Sequence, residues 1–525
     1  MTVTLAALFS LPGVIHVHSP KTTDLHLHPE RGPALQLDSR ACRADDLFIA
    51  VRGSRFDSHS LVPELLQKSV NVVVDRVGFE ELESTLAKLH PSPCILVVED
   101  TRDWAPRAAA RVGGLELADL QVLGFTGTNG KSTCTWILQH LLQAQDPLCA
   151  LIGTIESRFG RGEACPTALT TPDPLGLARL AQDLLEAGGR QLVMEVSSHA
   201  IHQKRDAVFS FDTCVFLNLS PEHLDYHHDM ETYYKVKASF MMRPECTLRL
   251  VNGDDPMGQR LQSELSCLPV RSFGRSASCD WRLTRLVQER GEMFLSFEFE
   301  SQTHQLRAPL IGDFNAMNLM ATVAVAMHAG LSLEQIQKGL LTLPPVPGRM
   351  ELCPLPSVKA PRVLIDYAHS PDGYEKVFDT LTQSAFTRIH TVFGCGGNRD
   401  RSNRPIMLEL ACKHSEHVFV TLDNPRDEDP ERIFADMLRA SELSKCESVS
   451  RIDDRAAAIS HAMLGLGEDD LLLILGKGHE RYQIIGSQKI DFDERAIVQS
   501  AWLKIQEEDR TSRGDESQED GDEDA

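Results

Sequence analysis

Apolar runs of four to six residues recur along this chain, each ending in a polar or glycine-rich stretch and separated from the next by a helix-length segment. Continuous apolar runs of that length suit strands buried on both faces, as in parallel sheets covered by helices. Up to residue 118 the runs are Leu47-Phe48-Ile49-Ala50-Val51, Val70-Asn71-Val72-Val73-Val74 and Ile95-Leu96-Val97-Val98. Between 119 and 346, Val122-Leu123-Gly124-Phe125, Leu192-Val193-Met194-Glu195-Val196 and Cys214-Val215-Phe216-Leu217 predict a second series. Leu343-Pro344-Pro345-Val346-Pro347-Gly348 reads as a linker, because consecutive prolines stop helix and ladder alike. Beyond it, Val363-Leu364-Ile365-Asp366-Tyr367, His390-Thr391-Val392-Phe393-Gly394, His417-Val418-Phe419-Val420-Thr421 and Leu471-Leu472-Leu473-Ile474-Leu475-Gly476 predict another parallel sheet, of dinucleotide-fold type. The prediction is an α/β chain with domains at 1–118, 119–346 and 347–506. The acidic stretch 507–525, poor in apolar residues, is expected to be disordered.

Gly127-Thr128-Asn129-Gly130-Lys131-Ser132-Thr133 follows the run at Val122 directly and opens a helix-like segment at Thr135-Trp136-Ile137-Leu138. A strand that breaks into a glycine-rich turn and then a helix suits a polyphosphate. The backbone approaches closely, the helix start points positive charge at the anion, Lys131 bridges phosphates and the Ser132 hydroxyl binds Mg²⁺. The strict Walker spacing is missed by one position, since a glycine is required where Phe125 stands. The loop predicts ATP or GTP and leaves open what the nucleotide drives.

Composition narrows the class. With 525 residues, 42% hydrophobic and 24% charged, the chain can bury several cores. A formal net charge of −22 opposes nucleic-acid phosphates and anionic membranes. No run nears the roughly 20 apolar residues that span a bilayer. Thirteen cysteines, an odd number without CxxC pairs, fit a reduced compartment better than a disulfide framework. Met1 to Gly13 is apolar but lacks a basic leader region. A soluble cytoplasmic protein is expected.

Chemistry in α/β proteins gathers where parallel strands end. Glu195 ends one run and is followed by Ser197, Ser198 and His199; the next run ends in Asn218-Leu219-Ser220-Pro221-Glu222-His223-Leu224-Asp225-Tyr226-His227-His228. This cluster is either a polar loop or a metal site. It contains no cysteine, so hard Mg²⁺ held through a carboxylate and phosphate oxygens suits it better than structural zinc.

Those segments, together with Tyr233…Lys237, Gly312-Asp313-Phe314-Asn315…Asn318, Gly348-Arg349-Met350-Glu351 and Asp366-Tyr367-Ala368-His369-Ser370-Pro371, resemble the Mur ligases of peptidoglycan synthesis, in order from about Leu37 to Val498. The resemblance is nearest to the branch that adds the third residue of the stem peptide. It implies an N-terminal domain for the UDP end of the substrate, a central phosphate-loop ATPase and a Rossmann-like C-terminal domain for the amino acid. It also implies transfer of the ATP γ-phosphate to a carboxylate, followed by attack of an amine on the acyl phosphate. On the same resemblance, Lys131 and Ser132 hold ATP and Mg²⁺, and Glu195 and His223 serve a magnesium site. Lys237 matches a lysine that CO₂ carbamylates, turning a cation into an anion able to hold magnesium. Asn318 falls near adenine or ribose and Arg349 near the γ-phosphate, while Asp366 and His369 line the nucleotide cleft. Asp38-Ser39-Arg40 and Gly53…Asp57-Ser58-His59 match UDP contacts, with Ser58 where most relatives carry glycine. Thr170, Thr171, Ser197, Gln203 and Arg205 match residues that grip the muramoyl-peptide. A monomer is the family default.

Asp423-Asn424-Pro425-Arg426 reproduces the motif of the members that add meso-2,6-diaminopimelate. This amino acid carries a distal carboxylate that lysine lacks. A guanidinium at Arg426 pairs with that carboxylate, whereas with lysine it stays unpaired beside a second cation. Arg399 matches a further carboxylate contact, preceded by Asn398 where aspartate is usual; Gly476 and Glu480 match groups that meet the distal ammonium. The expected reaction joins meso-diaminopimelate to the D-glutamate of UDP-N-acetylmuramoyl-L-alanyl-D-glutamate. Ligation of lysine or another diamino acid, and a non-catalytic ATP-binding scaffold, are the alternatives. Folylpolyglutamate and cyanophycin synthetases share the phosphate loop but would lack the Asp38-Ser39-Arg40 and Asn424-Pro425-Arg426 elements.

Overall fold

The computed structural model describes residues 3–18, 26–27, 33–53, 56–86, 93–115, 120–159, 169–289, 291–357, 360–382, 386–439 and 448–519. The chain forms two compact units, one of residues 1–286, 294–307 and 317–342, the other of residues 287–293, 308–316 and 343–525.

The first unit contains a five-stranded sheet in the order Val14–His18, Ile95–Val98, Asn71–Asp75, Leu47–Ile49, Leu35–Gln36, parallel except for its first strand. Alternate side chains go to opposite faces. Phe48, Val72 and Ile95 pack with Leu65 of the helix Val62–Gln67, while Leu47, Val73 and Leu96 pack with Trp104 and Ala108 of the helix Thr101–Val112.

The larger sheet of this unit has at its centre the parallel strands Ala150–Ile152, Gln191–Glu195, Gln121–Thr126, Thr213–Phe216, Leu248–Asn252 and Val270–Gly274. Ser157–Phe159 adds an antiparallel edge, and Trp281–Glu289, Glu292–Phe299 and Gln302–Ala308 extend the other side. Those last three strands are half-exposed and mix polar with apolar positions, so a search for continuous apolar runs passes over them.

The second unit is built on the order Glu351–Leu352, Arg362–Asp366, Leu471–Leu475, Ile389–Phe393, His417–Val420, Val449–Arg451, parallel except for the first strand. Leu471–Leu475 is buried throughout and sits between strands that precede it in sequence. The four central strands therefore deliver their C-terminal loops to one edge of the sheet. An antiparallel hairpin, Tyr482–Ile485 with Gln488–Asp491, follows the Leu471 strand. The final helix runs from Glu494 to Glu519, through most of the segment for which the sequence predicts disorder; residues 520–525 lie outside the described ones. Glu, Gln and Arg are good helix formers, so a shortage of apolar residues there lowers burial more than helicity.

No helix among the described residues is long and apolar enough to cross a membrane. Among the described residues ten cysteines are free thiols and Cys412 is disulfide-bonded.

Candidate active site

The strand Gln121–Thr126 lies between Gln191–Glu195 and Thr213–Phe216, so the loop after it emerges where both neighbours end. Asn218, just past Phe216, clamps that loop. Its Oδ1 accepts from Asn129 N at 2.9 Å, its Nδ2 donates to Asn129 O at 3.0 Å, and its carbonyl accepts from Thr128 N at 3.1 Å. The helix Lys131–Leu142 starts at Gly130, which has φ 90° and offers no side chain to cap the first turn. A β-carbon at Gly130 would stand 2.2 Å from Oδ1 of Asn318, on the helix Asp313–His328, so Asn318 closes over the loop. Ser132 and Thr133 are buried in the first turn.

Two lysines converge on this loop. Lys131 Nζ donates to Gly127 O at 2.8 Å and Thr128 O at 2.9 Å, and Lys237 Nζ donates to the same Gly127 carbonyl at 2.9 Å. Lys237, on the helix Met230–Phe240, is 1% exposed and lies over the Tyr233 ring. Burial pushes its pKa well below the usual lysine range, and the Lys131 charge adds to the effect. A buried amine with a depressed pKa holds the neutral form that reacts with CO₂.

Glu195 is buried, with Thr154 N at 2.8 Å and Thr154 Oγ1 at 2.9 Å from its carboxylate. His223 stands edge-on to His199, 4.9 Å between centroids. Burial holds the His223 pKa down, with Lys131 and Lys237 adding to it and Glu222 opposing; burial likewise pushes His199 to about 4. Neutral imidazole is the form that binds metal. Among the described residues no group of three or more His, Cys, Asp or Glu is arranged to hold a metal ion. A hard cation beside Ser132, Glu195 and His223 would complete its shell from phosphate oxygens, which fits Mg²⁺ arriving with a nucleotide.

The residues expected to grip the muramoyl-peptide form one hydrogen-bonded patch. Thr170 Oγ1 meets Thr154 Oγ1 at 3.0 Å, and Thr171 Oγ1 donates to Glu195 O at 2.9 Å and accepts from Ser197 N at 3.1 Å. Arg205 donates to Thr171 O and to Gln203, whose amide donates to Tyr226 at 3.0 Å. Ser39 opens a short turn capped by Asp38, which also pairs with exposed Arg40 at 2.7 Å. The Ser58 hydroxyl folds back on Val51, donating to its carbonyl at 3.0 Å and accepting from its amide at 2.7 Å. In the same unit, Arg52, Asp75, Arg76, Glu99, Asp100 and Arg102 line a cavity of about 320 Å³.

In the second unit, Asp366 accepts from Met350 N and Ala368 N, both at 2.7 Å; burial raises its pKa and the Arg349 charge opposes this. Arg349 lies over the Tyr367 ring at 4.5 Å, and His369 meets the Tyr367 carbonyl at 2.9 Å. A β-carbon on Gly348 would fall 2.1 Å from His479 N and 2.2 Å from Gly478 C, so two backbones cross here in contact.

Arg399, Asp423–Arg426, Gly476 and Glu480 follow the strands Ile389–Phe393, His417–Val420 and Leu471–Leu475. Arg399 is exposed. Arg426 is half-buried with φ 53°, and its guanidinium donates to Gly397 O at 2.8 Å and Asn424 O at 3.4 Å, with no carboxylate partner among the described residues. Its backbone is paired into the hairpin, Arg426 N donating to Ile484 O at 3.1 Å and Gly486 N to Arg426 O at 2.8 Å. This hairpin, and the roles of Asn218 and Thr154, are not announced by the sequence. Their signal was weak: one asparagine within a longer motif, one threonine in a turn, one short amphipathic pair of strands.

Two family models match the chain, the Mur ligase middle domain over residues 125–326 and the Mur ligase glutamate ligase domain over 348–478. A UDP-N-acetylmuramoyl-L-alanyl-D-glutamate–2,6-diaminopimelate ligase of Aquifex aeolicus is 35% identical over 90% of this chain and 94% of its own length. One from Geobacter metallireducens is 37% identical over 90% and 94%. A solved structure of a ligase of that name superposes with a TM-score of 0.67 at 27% identity, covering 97% of this chain and all of the other. The fold also matches an ADP complex of the MurF ligase from Thermotoga maritima, with a TM-score of 0.57 at 19% identity over 92% of this chain and 98% of that one. With relatives this similar over nine-tenths of its length, the chain belongs to the Mur ligase family, in the branch of the UDP-N-acetylmuramoyl-L-alanyl-D-glutamate–2,6-diaminopimelate ligases.

Proposed function

We propose that this chain joins meso-2,6-diaminopimelate to the D-glutamate of UDP-N-acetylmuramoyl-L-alanyl-D-glutamate, converting ATP to ADP and phosphate, in cytoplasmic peptidoglycan precursor synthesis. The observation that carries the choice of amino acid is the half-buried Arg426 guanidinium, which among the described residues bonds to carbonyls and to no carboxylate, on the loop whose Asn424 holds Glu480. A guanidinium with no carboxylate partner among the described residues and a carboxylate on the loop tied to it match the distal carboxylate and ammonium of diaminopimelate.

The residues divide the work. Gly127–Thr133 cradle the phosphates, with Lys131 bridging them and Asn318 toward the nucleoside, and in the second unit Arg349 is assigned to the γ-phosphate and Asp366 and His369 to the nucleotide. The patch Thr170, Thr171, Ser197, Gln203 and Arg205 orients the glutamate so that its carboxylate takes the γ-phosphate. Ser39 and the charged cavity by Arg52 serve the uridine diphosphate end. Arg399, Asn424, Arg426, Gly476 and Glu480 then orient the amine that attacks the acyl phosphate and releases phosphate. Most of the catalysis is positioning and charge neutralisation. Ser132, Glu195, His223 and a carbamate on Lys237 would hold Mg²⁺, whose charge would offset that on the transferring phosphate. The enzyme acts as a monomer.

A panel of amino acids, scored by product mass and by phosphate release, tests this reading. Release should require both the UDP-muramoyl-dipeptide and diaminopimelate, and Arg426→Ala should raise KM for diaminopimelate by about tenfold or more while leaving KM for ATP unchanged. Equal coupling of lysine, or equal effects on both KM values, contradicts it.

A further inference from the structure

Lys477 is fully buried (0% exposed), two residues after the strand Leu471–Leu475 and three residues before Glu480. Its ammonium donates to Asn424 Oδ1 at 3.0 Å and Asp423 Oδ1 at 3.1 Å, and lies 3.5 Å from Glu480 Oε2. A lysine has three donors and no acceptor, so it fixes which end of the Asn424 amide faces it. The carbonyl end turns to Lys477 and also accepts from Ile484 N at 2.9 Å. The amide nitrogen is thereby turned outward and donates to Glu480 Oε2 at 2.8 Å. Gln483 closes the frame by donating to Asp423 O at 2.7 Å. One buried cation thus ties the Asp423–Arg426 loop, the hairpin that pairs with Arg426, and the Glu480 carboxylate. Asp423 and Glu480 bring two negative charges and Lys477 one positive, so the cluster keeps a single net negative charge, the complement of one ammonium group.

We infer that Lys477 is a positioning residue for the diamino acid: through Asn424 it places Glu480 for the distal ammonium and holds the loop from which Arg426 reaches the distal carboxylate. This rests on the ligation of diaminopimelate proposed above, and wild-type enzyme tests that separately, since failure of the wild type to couple diaminopimelate would sink the parent reading and not this one alone. Lys477→Met keeps the volume of the stem and removes the charge. The expected result is a rise of tenfold or more in KM for diaminopimelate, with KM for ATP and for the nucleotide substrate within twofold of wild type. Lys477→Ala should behave alike and regain diaminopimelate affinity when ethylammonium is added, because the small cation refills the space between Asp423 and Asn424. Asn424→Asp keeps an acceptor toward Lys477 and puts in place of the donor to Glu480 a carboxylate oxygen that repels it; it should reproduce the selective KM rise even if the lysine variants fold poorly. An equal rise in all three KM values, a loss confined to kcat, or no ethylammonium rescue of a folded Lys477→Ala enzyme would each overturn the assignment.

Discussion

A single buried amine illustrates how position sets chemistry. Elsewhere on a helix surface Lys237 would be a solvated cation; here burial and the neighbouring Lys131 depress its pKa, and its Nζ already reaches the phosphate loop through Gly127 O. In the proposed mechanism the neutral amine captures CO₂ and the product is an anion aimed at the metal. Lys237→Ala should therefore lower turnover by about a hundredfold or more, and a small acid such as formate, diffusing into the vacated space, should restore part of it. A loss that no carboxylate relieves would count against the carbamate. The same logic governs Arg426, whose left-handed backbone is pinned by hairpin bonds to both its amide and its carbonyl.

Elements place these residues, and they differ in how plainly they announce themselves. The phosphate loop needs Gly130: its φ of 90° disfavours a side chain and a β-carbon would strike Asn318 at 2.2 Å. Gly130→Ala should abolish the rise in Tm that an ATP analogue gives to wild type, while the unliganded enzyme loses about 1–3 kcal/mol; an undiminished nucleotide shift would contradict the placement of the loop. A second test concerns the turn bearing Arg399. Buried Arg404 pairs with both oxygens of Glu428, at 2.8 and 2.7 Å, and Glu428 in turn accepts from Asn398 N at 2.8 Å. The Arg404 hydrogen bonds hold Glu428 at a pKa of about 2 against 4.5. A depressed carboxylate contributes fully above its unfolded pKa, and its contribution fades as pH falls from about 4.5 to about 2. Glu428→Gln should cost about 2–3 kcal/mol at neutral pH, and denaturant titrations should show that gap closing across this acid window. Legibility in sequence follows from the same physics. The parallel strands and the loop after Phe125 were readable because full burial imposes continuous apolar runs and phosphate geometry imposes glycine. The strands of 281–308 and the hairpin after Tyr482 were not, since half-exposed strands tolerate mixed residues. The Lys477–Asn424–Glu480 relay was invisible because Asn424 lies more than 50 positions from both Lys477 and Glu480 in the chain.

At the level of the whole molecule, 75 acidic against 53 basic side chains leave a net charge of −22, and such an excess repels itself in the folded state. Raising sodium chloride from about 20 to about 200 mM shortens the screening length to below about 10 Å, so Tm should climb by a few degrees; a steady fall would mean that local ion pairs outweigh the global repulsion. The division of labour between nucleotide and amino acid is also less clean than their separate motifs suggest. Gly348, which leads into Arg349, crosses Gly478, which leads to Glu480, with no room for even a methyl group. In the proposed mechanism the segment assigned to the γ-phosphate and the one assigned to the amino acid are thus separated by a party wall one backbone thick. Side-chain changes around this turn leave that wall standing, whereas a residue larger than glycine at Gly348 or Gly478 would displace Arg349, and altered selectivity would then arrive together with altered nucleotide use.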